Sequence, residues 1–376
     1  MKVYLDNAAS TPLLPEVIEI MTQSMHDIYA NPSSVHEAGR KAKVLVEDCR
    51  SKIACLLNTS PGTIFFTSGG TESDNMAIKR SIFDYNIKHA ITSPLSHHAV
   101  LYPLQELTNK ERIKLSYVNY NYKGLVDLKH LEDLLSNNPR TFVSIMHANN
   151  EIGTIQPIHE IGQICKNYDA IFHSDTVQTI GHYLFDLNSI NLQLLSASAH
   201  KFHGPKGVGF LYINENLRIT PFILGGSQER NMRAGTENIW AILGLTKAME
   251  IAYANLAKDE EYIKSLKIYM IEALKKSIPD INFLGNCLDL ENSLYTVLSV
   301  AFPKNNNSEM LLFNLDINGI FCSSGSACSS GTSKGSHVIS AINPNPEQTV
   351  VRFSFSKLNT KKEIDYTINK LKDLFV

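Results

Sequence analysis

The residues able to do chemistry in this sequence stand just past apolar runs. Lys201 lies in the stretch Ser196 to Gly209, which ends the run Leu192 to Leu195 and opens the run Val208 to Ile213, with turn-forming Gly204 and Pro205 between them. An amine at such a strand exit is either a surface cation or, when desolvated among small residues and glycines, a nucleophile. Asp175 follows the apolar Ala170, Ile171 and Phe172, with Gln178 shortly after it. A lone carboxylate there suits a helix cap; beside a nucleophilic lysine it acquires a second meaning. An amine for a Schiff base and an acid for a pyridinium nitrogen are the two groups that a pyridoxal 5'-phosphate (PLP) site needs.

Other candidates are spread along the chain. His97 and His98 open a helical pattern, and the residues alone do not say which is a capping or surface histidine and which presents its ring to a flat ligand. Arg352 alternates with Val351, Phe353 and Phe355, so it points to the other strand face, either into solvent or towards a carboxylate that its planar guanidinium would grip. Cys328 sits in a run of small polar residues from Ser323 to Gly335 that cannot bury apolar area. This segment is either a mobile loop with an exposed thiol or a linker with an incidental cysteine. A free thiol of pKa ~8.5 is only about 3% ionised at pH 7, and half ionisation needs ~2 kcal/mol of local stabilisation.

The elements that must position these groups alternate. Strands are expected at Ile64 to Thr67, His89 to Thr92, Lys114 to Val118, Thr141 to Met146, Ala170 to His173, Leu192 to Ser196 and Val208 to Ile213. Helical patterns start at Pro15 and recur at Val44 to Leu57, Asn75 to Phe83, Leu128 to Leu135 and Ile158 to Tyr168. The class is therefore α/β with a largely parallel sheet, whose ligands collect at strand ends. Ser68 to Ser73 reads as a tight loop between strand and helix, where backbone N–H groups and a hydroxyl can hold a phosphate. Beyond Glu237 a long helical region runs to about Ser277, broken near Lys258 and Asp259, and a smaller mixed pattern follows. Its strands are expected at Tyr295 to Phe302, Ile320 to Ser323 and Thr349 to Phe355, with a helix at Ser308 to Leu315 and a capping box, Thr360 with Glu363, opening the last helix.

Composition excludes several classes. The formal charge is −2 and no basic run is present, so nucleic acid is not an expected partner. No apolar run is long enough to span a membrane, and the start, Met1 to Asp6, lacks a signal-peptide apolar region, so the expectation is a cytoplasmic protein. The six cysteines show neither a C-x-x-C pair nor zinc spacing, and no metal is expected. Cys49, Cys55 and Cys165 fall in amphipathic helical patterns, where a free cysteine packs as a small hydrophobe.

Taken in order, these motifs resemble a known family. Ser198-Ala-His-Lys201 followed by Gly-Pro-Lys-Gly207, with Asp175 and Gln178 upstream, is similar to the cysteine desulfurases of the class V aminotransferase group. Gly325-Ser-Ala-Cys328 narrows the likeness to the NifS/IscS-like branch. Tyr4 to Ala9, Ser68 to Asn75, Asn149 to Gly153, Gly225 to Glu229, Arg233 to Glu237 and Arg352 to Ser354 extend it over nearly the whole chain. Ser96 stands where the family usually has Glu, and Lys334-Gly335 replaces its usual acidic-proline pair.

The resemblance implies a fold-type I PLP-dependent transferase, with a large PLP-binding domain over 15–257 on a mainly parallel seven-stranded sheet. A smaller α+β domain of 1–14 and 258–376 would carry the active-site cysteine loop at about 323–336. It further implies that Lys201 forms the Schiff base with PLP, Asp175 pairs with the ring nitrogen, Gln178 bonds the ring hydroxyl and His97 stacks on the ring. Gly70, Thr71, Ser198 and His200 would hold the phosphate, with Thr236 of the partner subunit of a homodimer. Asn150 and Arg352 would bind the carboxylate of L-cysteine, and Cys328 would take its sulfur as a persulfide for acceptors such as an iron–sulfur scaffold, releasing alanine.

Overall fold

The computed structural model describes residues 1–138, 140–305, 308–324, 335–343, 345 and 347–375. After a short strand, β1 (Val3–Tyr4), come two helices, α1 (Pro15–Asp27) and α2 (Glu37–Leu56). Pro15 occupies the first turn of α1, where its missing N–H leaves no bond unmade. Strands and helices then alternate: β2 (Ile64–Thr67), α3 (Gly70–Asp84), β3 (His89–Thr92), α4 (His98–Asn109), β4 (Lys114–Tyr117), α5 (Leu128–Ser136), β5 (Thr141–Ser144), α6 (Ile158–Asn167) and β6 (Ile171–Asp175). Two more strands, β7 (Leu194–Ser198) and β8 (Gly209–Ile213), complete a seven-stranded sheet of order β2-β8-β7-β6-β5-β3-β4. Only β8 runs antiparallel to its neighbours. Most of these strands are apolar and buried along their length because helices cover both faces, whereas β4 at the edge is partly exposed.

One face packs on α1, α2, α5, α6 and α7 (Ile239–Ala254), the other on α3 and α4. A further core gathers Val3 and Leu5 with α8 (Leu256–Ser277) and with apolar residues of the strands and helices that follow. These are β9 (Asn282–Phe283), β10 (Val297–Phe302), α9 (Leu311–Ile317), β11 (Ile320–Phe321), α10 (His337–Ile342), β12 (Thr349–Ser354) and α11 (Lys361–Phe375), and all contribute to that core except α10, whose Val338 and Ile342 pack with Leu95 and Ile152 in a smaller cluster. Strands β12, β10 and β9 form an antiparallel sheet, and β1 pairs in parallel with β11. Thr360 and Glu363 exchange the two bonds of the expected capping box.

Three local expectations are corrected. The tight loop expected to run to Ser73 ends at Gly69, whose φ of 144° turns the chain so that α3 begins at Gly70 rather than at Asn75. The break in the long helical region falls at Asn255, whose side chain bonds the carbonyl of Ile251, instead of at Lys258 and Asp259. Cys49 and Cys165 are buried as expected, but Cys55 is exposed. It lies about 240° around α2 from Cys49, off the face that packs.

Candidate active site

Lys201 ends a short 3-10 turn, Ala199–Lys201, directly after β7. Its Nζ reaches back to the N-terminal segment, donating to the carbonyls of Ala8 at 2.7 Å and Ala9 at 2.9 Å. The turn is tied to the same segment by Thr11, whose N–H and hydroxyl both donate to the carbonyl of His200. One strand over, Asp175 ends β6, paired in register with Ser196 of β7. Its Oδ1 accepts the N–H of Val177, so it does cap the following turn, yet it also lines the cavity beside Lys201. Burial, reinforced by the neighbouring Asp74 carboxyl, pushes Asp175 up to about 7. A buried acid in this state gains from any cation set against it.

The start of α3 faces Asp175 across the cavity. Gly70 packs so closely that a Cβ there would meet Val177 Cγ2 at 2.6 Å. The first N–H groups of a helix have no partner within it, and together with the Thr71 and Ser198 hydroxyls and His200, which line the same cavity, they could hold an anion. Desolvation, aided by the Lys201 charge, holds His200 down to about 4. Gln178 also lines the cavity and donates to the carbonyl of Ala8 at 3.0 Å.

His97 separates from His98 here. As the cap of α4, His97 accepts the N–H of Ala99 on Nδ1 at 3.1 Å, so the neutral ring carries its proton on Nε2. Burial first and the Lys201 charge second hold it down to about 4. Ser96, buried and bonded to Thr92, plays no part in that orientation, which the helix cap supplies. His98 turns away, stacking on Tyr102 and meeting His337 at a tilt.

Arg352 closes the far end of the cavity. It is only 1% exposed, because both faces of β12 are covered. Its guanidinium donates to Asp6 Oδ1 at 2.7 Å and to the carbonyl of Asn150 at 2.9 Å, and the side chain of Asn150 is buried beside it. Cys328 lies outside the described residues, but the chain on either side of it reaches this end. The backbone of Ser323 exchanges hydrogen bonds with that of Arg352, while Ser336 donates to the carboxylate of Glu151, next to Asn150.

A cavity of about 200 Å³ therefore gathers Gly70, Thr71, His97, Asn150, Asp175, Gln178, Ser198, His200, Lys201 and Arg352. Thr236 is not among them: it is exposed in a separate crevice with Ser68 and Arg233. A larger groove of about 720 Å³ opens at the opposite end of the strands, among Asn188, Asn191 and Asn214, and holds none of these groups. Sequence reasoning missed Asp74 and the carbonyls of Ala8 and Ala9. A helix placed from Gly70 would have put Asp74 one turn on, over the same strand ends.

Residues 3–367 match the family model for the class-V aminotransferases. The chain belongs to this family. Among class-V relatives it is 44% identical to the cysteine desulfurase IscS of Dictyoglomus turgidum, over 98% of this chain and 93% of that one. A solved NifS-like protein superposes with a TM-score of 0.91 at 37% identity, covering 100% of this chain and 99% of the other. SspA, solved in complex with cysteine, gives a TM-score of 0.83 at 31% identity, over 96% of this chain and 100% of SspA. Class-V enzymes of this kind depend on PLP, and the residues present fit it: a cavity lined by a buried acid, an amine, and a helix start for a phosphate.

Proposed function

We propose that this class-V enzyme is a PLP-dependent cysteine desulfurase, taking the sulfur of L-cysteine onto Cys328 and releasing alanine. The observation that carries the reading is the arrangement along one cavity: amine and acid at the sheet end, guanidinium at the other, with Ser323 and Ser336 anchored beside the guanidinium. When bound, PLP supplies an electron sink that labilises bonds at the substrate's α and β carbons.

The chain's residues supply the rest. Asp175 would sit against the ring nitrogen, Gln178 against the ring hydroxyl and the neutral ring of His97 over the face. Gly70, Thr71, Ser198 and His200 would hold the phosphate, completed by Thr236 of the partner subunit in a homodimer. Lys201, seated by two carbonyls, would anchor the cofactor and then shuttle a proton at the substrate's α carbon. Arg352 and Asn150 would clamp the carboxylate, fixing the direction in which the thiol side chain extends. The Cys328 thiolate would attack the substrate sulfur, forming an S–S bond as the carbon–sulfur bond breaks.

The division into a large domain over 15–257 and a smaller one from 1–14 and 258–376 belongs to the same proposal. It is supported by the core that Val3 and Leu5 share with α8 and α11. The persulfide would pass to an acceptor protein, an iron–sulfur scaffold being the class the IscS relatives favour, in the cytoplasm; among the described residues no helix is long and apolar enough to cross a membrane.

The test is to add L-cysteine to the purified protein and measure alanine and sulfide for the parent, Cys328→Ala and Lys201→Ala. Cys328→Ala should keep a yellow cofactor but form no persulfide, and Lys201→Ala should lose the covalent cofactor linkage and at least about a thousandfold in rate. Undiminished sulfide release by Cys328→Ala would sink the mechanism.

A further inference from the structure

Behind Asp175 the floor of the cavity holds a second acid that the reaction above does not use. Asp74, one turn after Gly70 on α3, is 1% exposed and lines the same cavity. Its Oδ1 has no hydrogen-bond partner among the described residues and stands 3.4 Å from Nε2 of His173. His173 is fully buried, with Nδ1 2.9 Å from the Ser144 hydroxyl and Nε2 3.0 Å from the Ser196 hydroxyl. The row Ser144, His173, Ser196 thus crosses the three central strands β5, β6 and β7. His173 and Asp175, two apart on β6, face the same side of the sheet, the side that α3 covers.

Two carboxyls and one imidazole therefore share a dry pocket. The neighbouring strands contribute hydroxyls to it, from Ser144 and Ser196, and no charge. The other titratable groups at hand are Lys201 beyond Asp175 and His97 at the head of α4. On α3 itself, Glu72 is drawn away by Arg233 and Lys79 by Glu106. Two ionised carboxylates here would repel each other in a low-dielectric site, so one must hold a proton or His173 must carry one. Burial works against a charged His173, holding it down to about 4, and pushes Asp74 up to about 7.

We propose that Asp74 is a positioning residue for the cofactor's ring nitrogen: it stays a neutral acid against the Ser144–His173–Ser196 row, leaving Asp175 as the one negative charge beneath that nitrogen. The inference rests on the cofactor assignment made under Proposed function. It makes Asp74 a stored proton next to Asp175, whose release at higher pH puts a second negative charge under the ring.

The test compares the parent with Asp74→Asn, which keeps the shape and mimics the neutral acid, and with Asp74→Ala. The first readout is thermal stability of the full-length, cofactor-free chain against pH. An acid whose folded pKa is raised loses stability as pH climbs from its unfolded to its folded value. Asp74→Asn should therefore melt a few degrees above the parent at about pH 8, with the difference vanishing towards about pH 4. A variant less stable than the parent at about pH 8 would mean an ion pair with protonated His173 and would overturn the proposal; so would equal stability throughout.

The second readout is the visible absorption of the holoenzyme against pH. The parent and Asp74→Asn should share one spectrum at acid pH and separate at higher pH, while Asp74→Ala should depart at every pH and Asp74→Asn should restore the parent's acid spectrum. Coincident titrations of parent and Asp74→Asn would overturn the link to the ring nitrogen. A chain that takes up no PLP would overturn the cofactor reading itself, and the stability comparison would still report where the proton sits.

Discussion

The two ends of the cavity solve opposite electrostatic problems. At the sheet end, Asp175, Asp74 and His173 are buried together, the described residues form no Lys or Arg salt bridge to either carboxyl, and burial drives all three towards their neutral forms. At the other end, Arg352 is just as buried but already matched by Asp6 and by the carbonyl of Asn150. Under the proposed function, the first end would gain by receiving a positively charged ring, and the second would exchange part of its bonding for a substrate carboxylate. Unmatched groups respond to protons, whereas matched groups respond to the loss of a partner.

That contrast can be broken first with acid. His97, His173 and His200 at the cavity, with His203 behind it, are held down to about 4, and His147 to about 3. In the window below the ordinary histidine value of about 6.5 the unfolded chain binds protons that the folded chain refuses, so stability falls with pH there. Asp74 and Asp175 act in the opposite sense, but the histidines outnumber them. Denaturation of the cofactor-free chain should therefore show a loss of several kcal/mol between about pH 6.5 and about pH 4. A flat profile would mean that the sheet end is solvated rather than dry.

Next in size is Arg352→Ala, which turns the matched end into an unmatched one. Leaving Asp6 unpaired should cost about 3–5 kcal/mol in denaturant unfolding. The KM for L-cysteine should rise about a hundredfold, with Arg352→Lys recovering charge but not the planar fork. An unchanged KM in both variants would take Arg352 out of substrate binding.

The smallest effect is expected from Ser336→Ala. Ser336 donates to Glu151 and accepts the N–H groups of Val338 and Ile339 as the cap of α10. Its loss should cost about 1–2 kcal/mol and lower kcat while the cofactor's absorption stays as in the parent. A shifted absorption would show that the two ends are coupled after all.

How much of this was legible differs between the ends for a physical reason. The sheet end is made where successive strands stop, and strand runs, glycine turns and the residues just past them are local patterns that a linear sequence displays. Lys201, Asp175 and the polar start of α3, which the structure brings to one cavity, were visible on that ground, and the α/β class with them. The choice of His97 over His98 was not, because it turns on which ring caps α4 and which packs against Tyr102 and His337. Asp74 escaped because its helix starts at Gly70, a boundary that the conformation of Gly69 decides.

The end at Arg352 was decided by tertiary structure. Asp6, Asn150 and Arg352 come from the N-terminal segment, a turn after β5 and a strand near the C-terminus, and the packing of Val3 and Leu5 among α8 and α11, with the backbone bond from Ser354 to Leu5, brings the first into reach of the last. The sequence by itself determined which groups are chemically able, through local periodicity and residue type. Which of them are buried, which share a proton and which find an opposite charge depended on long-range contacts, because desolvation and Coulomb energy depend on distance in space rather than along the chain.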